Sequence, residues 1–112
     1  MIIKLIDYKE DNLCRGTILR FKGQYPFEEI VDFMLVDTPS VESSFALICI
    51  SGYHAGSTEC HLPKDAKSMN VHSISRKWLI ENWNKWVYPD CSINDVFILN
   101  TEYRMENLPK LH

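Results

Sequence analysis

Tyr53 and His54 stand between two glycines in SGYHAG, residues 51–56, and they form the most chemically capable pair in the chain. At a hairpin tip they could contact a ligand, and a histidine titrates close to neutral pH. Turn chemistry accounts for the same residues more plainly, because Gly52 and Gly56 supply positive φ and the residues between them then need no role. His54, Cys60, His61, His72 and Cys91 are all acceptable zinc ligands, but no CxxC or HExxH spacing joins them. Adjacent Cys60 and His61 would point to opposite faces of a strand. Cys49 or Cys60 beside His54 would be the nucleophile candidates, yet a thiol inside a buried strand has a raised pKa and attacks poorly. Glu28 and Glu29 as an acid/base pair look no different from a solvated face, and two glycines alone cradle no phosphate. No catalytic residue, metal or cofactor is therefore assigned. A small metal- or thiol-dependent enzyme using His54 with Cys60 or Cys91 stands as the alternative, beside a generic interaction or oligomerising domain.

Charge gives a second signal. No lysine or arginine occurs between Lys22 and Lys64, while Glu28, Glu29, Asp32, Asp37, Glu42 and Glu59 all fall there. The net charge of −3 hides this interval, since the flanks carry twelve bases against nine acids. Folded onto one surface, the block would complement a strongly basic protein partner, with Tyr53 and His54 as loop contacts; its plainer role is a solvated sheet face. Nucleic acid is disfavoured as a partner, because phosphate binding needs a clustered basic face.

The elements that must position these residues fit one domain, residues 1–112, with 46% hydrophobic and 12% aromatic residues to build its core. No run approaches the roughly 18 to 20 apolar residues of a membrane span, and the start MIIKLIDYKEDN lacks a signal-peptide pattern. A cytoplasmic protein with four reduced cysteines is the expectation. IIKLI, residues 2–6, reads as an opening strand. RGTILRFKG alternates Thr17, Leu19 and Phe21 against Ile18, Arg20 and Lys22, a strand signal. A strand is expected from Ile30 to Asp37, another in SFALICIS as a central strand covered on both faces, and a more polar one in STECHLP. Residues 14–62 thus read as an antiparallel meander.

From Ser73 the period becomes helical. Trp78, Leu79, Trp83, Trp86 and Val87 share one side, with Trp78, Asn82 and Trp86 as a second row beside Leu79, Trp83 and Val87. Ser75 suits the N-cap, Ile74 a hydrophobic staple, and Pro89 stops the helix, which the spacing predicts over about 75–87. WLIENWNKW holds all three tryptophans of the chain, and their spacing marks core packing rather than an aromatic grip. NDVFILN gives a last strand around 95–100, and TEYRMENLPKLH a polar tail. The fold class is α+β: a mostly antiparallel sheet of five to six strands with one main helix on one face.

GTILRFKG, then LICISGYHAG ending at LP, then ISRKWLIENWNKWVYPDC followed by VFIL, resembles small immunity proteins of bacterial polymorphic-toxin and contact-dependent growth-inhibition systems, nearest the immunity protein 45 family. The likeness spans residues 16–99. It implies an α+β protein that binds the C-terminal toxin domain of a cognate effector, often a nuclease, and blocks it in the cytoplasm of the producing cell without catalysis. It brings no list of functional positions, so the contact candidates remain those of charge and loop reasoning.

Overall fold

The computed structural model describes residues 2–39, 44–69 and 72–99. Glu42 and the polar tail after Leu99 lie outside these residues. The strands are β1 (Ile2–Lys4), β2 (Asn12–Cys14), β3 (Ile18–Lys22), β4 (Ile30–Asp37), β5 (Phe45–Cys49), β6 (Thr58–Leu62), β7 (Ser73–Ser75) and β8 (Phe97–Leu99). Six of them form one antiparallel sheet in the order β1-β8-β3-β4-β5-β6, and β2 pairs with β7 in a separate ladder. The meander expected over residues 14–62 is the β3-β4-β5-β6 part of that sheet, four of its six strands, and the fold is α+β as the sequence indicated.

Alternation decides which side of each strand is buried. β3 turns Leu19 and Phe21 inward, and its register places them beside Phe33 and Val31 of β4. β4 and β5 continue this inner face with Leu35, Leu47 and Cys49, and β8 adds Ile98. The helical segment, α1 (Arg76–Asn82) continuing into a π-helical turn over Trp83–Val87, supplies Leu79 and Trp83, which join the inner face in one core. Trp83 is fully buried with its ring edge-on to Phe21, centroids 5.2 Å apart. The Ser75 hydroxyl caps α1 by accepting the Trp78 N–H at 3.1 Å, and Ile74 is buried in the same core as Leu79.

Two details depart from the sequence reading, each for a local reason. IIKLI is a strand only to Lys4; Leu5 then enters a 3₁₀ turn, donates its N–H to the Val96 carbonyl at 2.8 Å and buries its side chain completely. The last turn of the helix, Trp83–Val87, is π-helical, closed by Tyr88 N–H on the Trp83 carbonyl at 3.0 Å, and it still ends at Val87. Trp83 stays in the core while Trp86 is 41% exposed and stacks loosely on half-buried Trp78, centroids 6.2 Å apart. β5 buries Phe45, Leu47 and Cys49 in the core on its inner side, and on its outer side Ala46 is 1% exposed and Ile48 half-buried.

Candidate functional site

The β5–β6 connection and the loop between β3 and β4 meet at one end of the sheet. The connection is a built hairpin end. Gly56, at φ +94°, donates its N–H to the Cys49 carbonyl at 2.7 Å, and Cys49 N–H donates to the Ser57 carbonyl at 2.9 Å. Gly52, at φ +62°, opens a 3₁₀ turn over Gly52–His54, a backbone region that glycine enters without the cost a Cβ would bring. That turn presents Tyr53 to solvent with 91% of its surface exposed.

Glu28 joins the two loops. Its Oε1 accepts the Tyr53 N–H at 2.7 Å, while Phe27 lays its ring 4.6 Å from that of His54. Tyr53 in turn meets His54 edge-on at 5.6 Å. The Tyr53 N–H favours the ionised carboxylate and holds Glu28 below the ordinary carboxylate range, with the nearby His54 ring adding in the same direction. Gly52 leaves the space this needs, since a Cβ there would lie 2.3 Å from the Glu28 carboxylate carbon and Oε1 and 2.4 Å from Oε2. On the far side of the turn, Glu59 accepts a hydrogen bond from the Ser57 hydroxyl. The β3–β4 loop itself is anchored from behind, Gln24 N–H donating to the Tyr88 hydroxyl at 2.7 Å.

Glu28, Tyr53, His54 and Glu59 thus gather at one end of the molecule, and the other acidic candidates lie elsewhere. Glu29 follows Glu28 at the start of β4, exposed, lining a groove with Lys22 and Arg20. Asp32 points to the other face of the sheet, only 9% exposed, in a two-pronged pair with Arg20: Nε to Oδ1 and Nη2 to Oδ2, both 2.7 Å. Asp37 ends β4, about 25 Å along the strand from Glu29, and accepts from Arg15 Nη1 at 2.6 Å with His72 Nδ1 at 3.6 Å. Sequence reasoning passed over Tyr25, 96% exposed on the same loop as Glu28. Its setting between Gly23 and Pro26 was the available signal, a turn whose side chains have nowhere to bury.

The thiols offer little chemistry in this arrangement. Burial pushes Cys60 up to about 11 and raises Cys91 as well, so at neutral pH both are held as thiols and not as thiolate nucleophiles. Cys49 is fully buried, its Sγ 3.2 Å from the Ser51 carbonyl. Among the described residues no three of the His, Cys, Asp or Glu side chains converge as metal ligands do, and no helix is long and apolar enough to cross a membrane. What the hairpin end provides is a preformed surface on which the exposed Tyr53 ring lies beside the Glu28 carboxylate that accepts its N–H.

No curated protein and no solved structure matches the chain. The family model described as immunity protein 45 does match, over residues 5–98, which takes in every strand of the main sheet except β1 and the last residue of β8, the whole helical segment and the hairpin end. The chain belongs to the immunity protein 45 family.

Proposed function

We propose that this protein protects the cell that makes it by binding the toxin domain of a cognate effector in the cytoplasm and covering its active site. Inhibition is by occupancy. The effector is of the polymorphic-toxin or contact-dependent growth-inhibition type, the domain lies at its C-terminus, and a nuclease fits best, because a cleft built to hold phosphates is basic and attracts carboxylates.

The observation that carries the contact assignment is the hairpin end: Tyr53, almost wholly exposed, held beside a Glu28 carboxylate that its own N–H keeps ionised. A tyrosine on a rigid turn loses little entropy on binding, and flanking carboxylates steer a basic partner. Glu28, Glu59, Tyr53 and His54 form the centre of the proposed interface, with Glu29 and Tyr25 beside it. Asp32 and Asp37 already face arginines and add less to the outward field. Glu42 belongs to the same acidic interval and is included as a contact on charge alone.

Co-expression with the C-terminal domain encoded by a neighbouring large secreted effector tests the reading. The domain should co-purify. Glu29→Lys with Glu59→Lys should slow association and flatten its salt dependence, and Tyr53→Ala should speed dissociation. Tight binding that is indifferent to all three changes would move the interface elsewhere while leaving the immunity role intact.

A further inference from the structure

The outer face of the six-stranded sheet carries an apolar stripe that the core does not use. Register places Ile48 opposite Met34, Met34 opposite Ile18, Ile18 opposite Leu99, and Leu99 opposite Ile2, so one row of outward side chains crosses five strands without a polar residue. None of the five belongs to the core, and Ile2 is 54% exposed. At one end of the sheet the stripe borders a groove of about 440 Å³ that includes Ile2, Ile30 and Phe97, with Ile30 59% exposed. An antiparallel sheet with one solvated face ordinarily alternates apolar inward and polar outward. A contiguous apolar row on the outward side marks an interaction surface.

We propose that this face is the interface of a homodimer, two copies packing sheet on sheet. Three observations select a second copy as the occupant. The stripe follows a single register row, so a two-fold axis lying between the sheets sets each stripe along its counterpart, the self-complementarity an isologous contact requires. The charges of the face are balanced: Arg20 is matched by Asp32 in the two-pronged pair, and Lys22 in the groove and Lys4 on β1 stand against Glu29 and Asp95. A second copy therefore meets no repulsion, whereas a strongly basic toxin cleft finds no excess of carboxylates here and finds it at the hairpin end. The third is area. Six strands at about 4.8 Å and five residues at about 3.4 Å give a face of roughly 29 by 17 Å, so two copies cover about 1,000 Å². That is the threshold of a specific interface and fits a dimer of moderate affinity.

Sedimentation equilibrium of the full chain, without a toxin, from about 1 to 500 μM tests the proposal. The average mass should climb from one chain toward two. Ile2→Glu and Met34→Glu should each hold it at one chain, with unchanged far-ultraviolet circular dichroism; Ile2→Glu, at an exposed strand end, keeps the test sound should Met34→Glu unfold. A wild-type mass that stays at one chain throughout overturns the proposal, as does a dimer that persists in both folded variants. A monomer whose toxin binding is lost in Ile2→Glu also overturns it and gives the face to the toxin.

Discussion

Trp83 is where the packing and the hydrogen-bond accounts can be set against each other. Its side chain is completely buried, edge-on to Phe21, and its Nε1 is a buried donor with no acceptor among the described residues. Trp83→Ala removes the whole ring and leaves a cavity, about 3–5 kcal/mol for such a site. Part of this is offset, because an unsatisfied buried donor costs about 1–3 kcal/mol and the substitution removes it. The expected loss is about 3 kcal/mol, a large share of a stability of roughly 5–15 kcal/mol. Trp83→Phe keeps the ring edge against Phe21 and loses buried area worth about two methylenes, about 1.6 kcal/mol. Relief of the orphan donor is of similar size, so the net change should lie within about 1.5 kcal/mol of zero. Trp86→Ala, at the exposed end of the same segment, should cost less than about 1 kcal/mol. Urea unfolding followed by circular dichroism measures all three, with constant m-values confirming that the same transition is compared. If Trp83→Phe costs as much as Trp83→Ala, the indole N–H has a partner that matters. If Trp86→Ala costs as much as Trp83→Ala, the assignment of the core side of the helix is wrong.

Two further predictions concern the hairpin end. Gly52→Ala should cost about 1–2 kcal/mol through its φ of +62° and push the Glu28 carboxylate off the Tyr53 N–H, whereas Gly23→Ala, whose Cβ would lie 2.4 Å from the Glu28 carbonyl oxygen and 2.5 Å from buried Val31, should cost about 1–3 kcal/mol or more of global stability. Thermal unfolding combined with the chemical shift of the Tyr53 amide separates the two, and an unmoved Tyr53 amide in Gly52→Ala would sink the cradle argument. Because the folded-state pKa of Glu28 is depressed, its contribution is complete above the ordinary carboxylate value of 4.5 and is lost as pH falls through the lower folded value. The Tyr53 amide shift should therefore titrate below 4.5 and cease to do so in Glu28→Gln; a midpoint at or above the ordinary value would contradict it.

The parts of the fold that were legible in the sequence are those where local chemistry and tertiary packing agree. β4 runs from Ile30 to Asp37 as read, since Thr38-Pro39 stops it and an alternation of Val31, Phe33 and Leu35 holds its register. The helical segment begins one residue after Ser75 and ends at Val87, because its cap, its apolar row and the Pro89 that follows are all local in the sequence. The β2–β7 ladder escaped, since three residues a side are too few for a period to show and its pairing joins positions some 60 residues apart. The π-helical turn escaped because a regular 3.6-residue repeat assumes that every residue advances the helix equally.

The acidic interval shows why one-dimensional charge patterns translate poorly into surfaces. Residues 23–63 contain no lysine or arginine, yet two of the acids in that interval are paired with arginine all the same. Strand pairing brings Arg20 of β3 across from Asp32 of β4, and the turn between β2 and β3 brings Arg15 to Asp37. A sheet places sequence-distant residues about 5 Å apart, a distance at which opposite charges associate whatever their neighbours in the chain. Alternation then sends the Asp32 carboxylate to the face opposite the core and into its pair with Arg20, although the Asp32 backbone N–H donates to the Ser51 hydroxyl at the foot of the hairpin end. The acids that keep an outward role are Glu28 and Glu29 in a connection and Glu59 near the start of the edge strand β6, none of them in an ion pair with a base among the described residues. On a sheet protein, then, an unpaired run of acids is best sought in the connections, and here it falls where Gly52 and Glu28 fix the only almost fully exposed tyrosine of the β5–β6 hairpin.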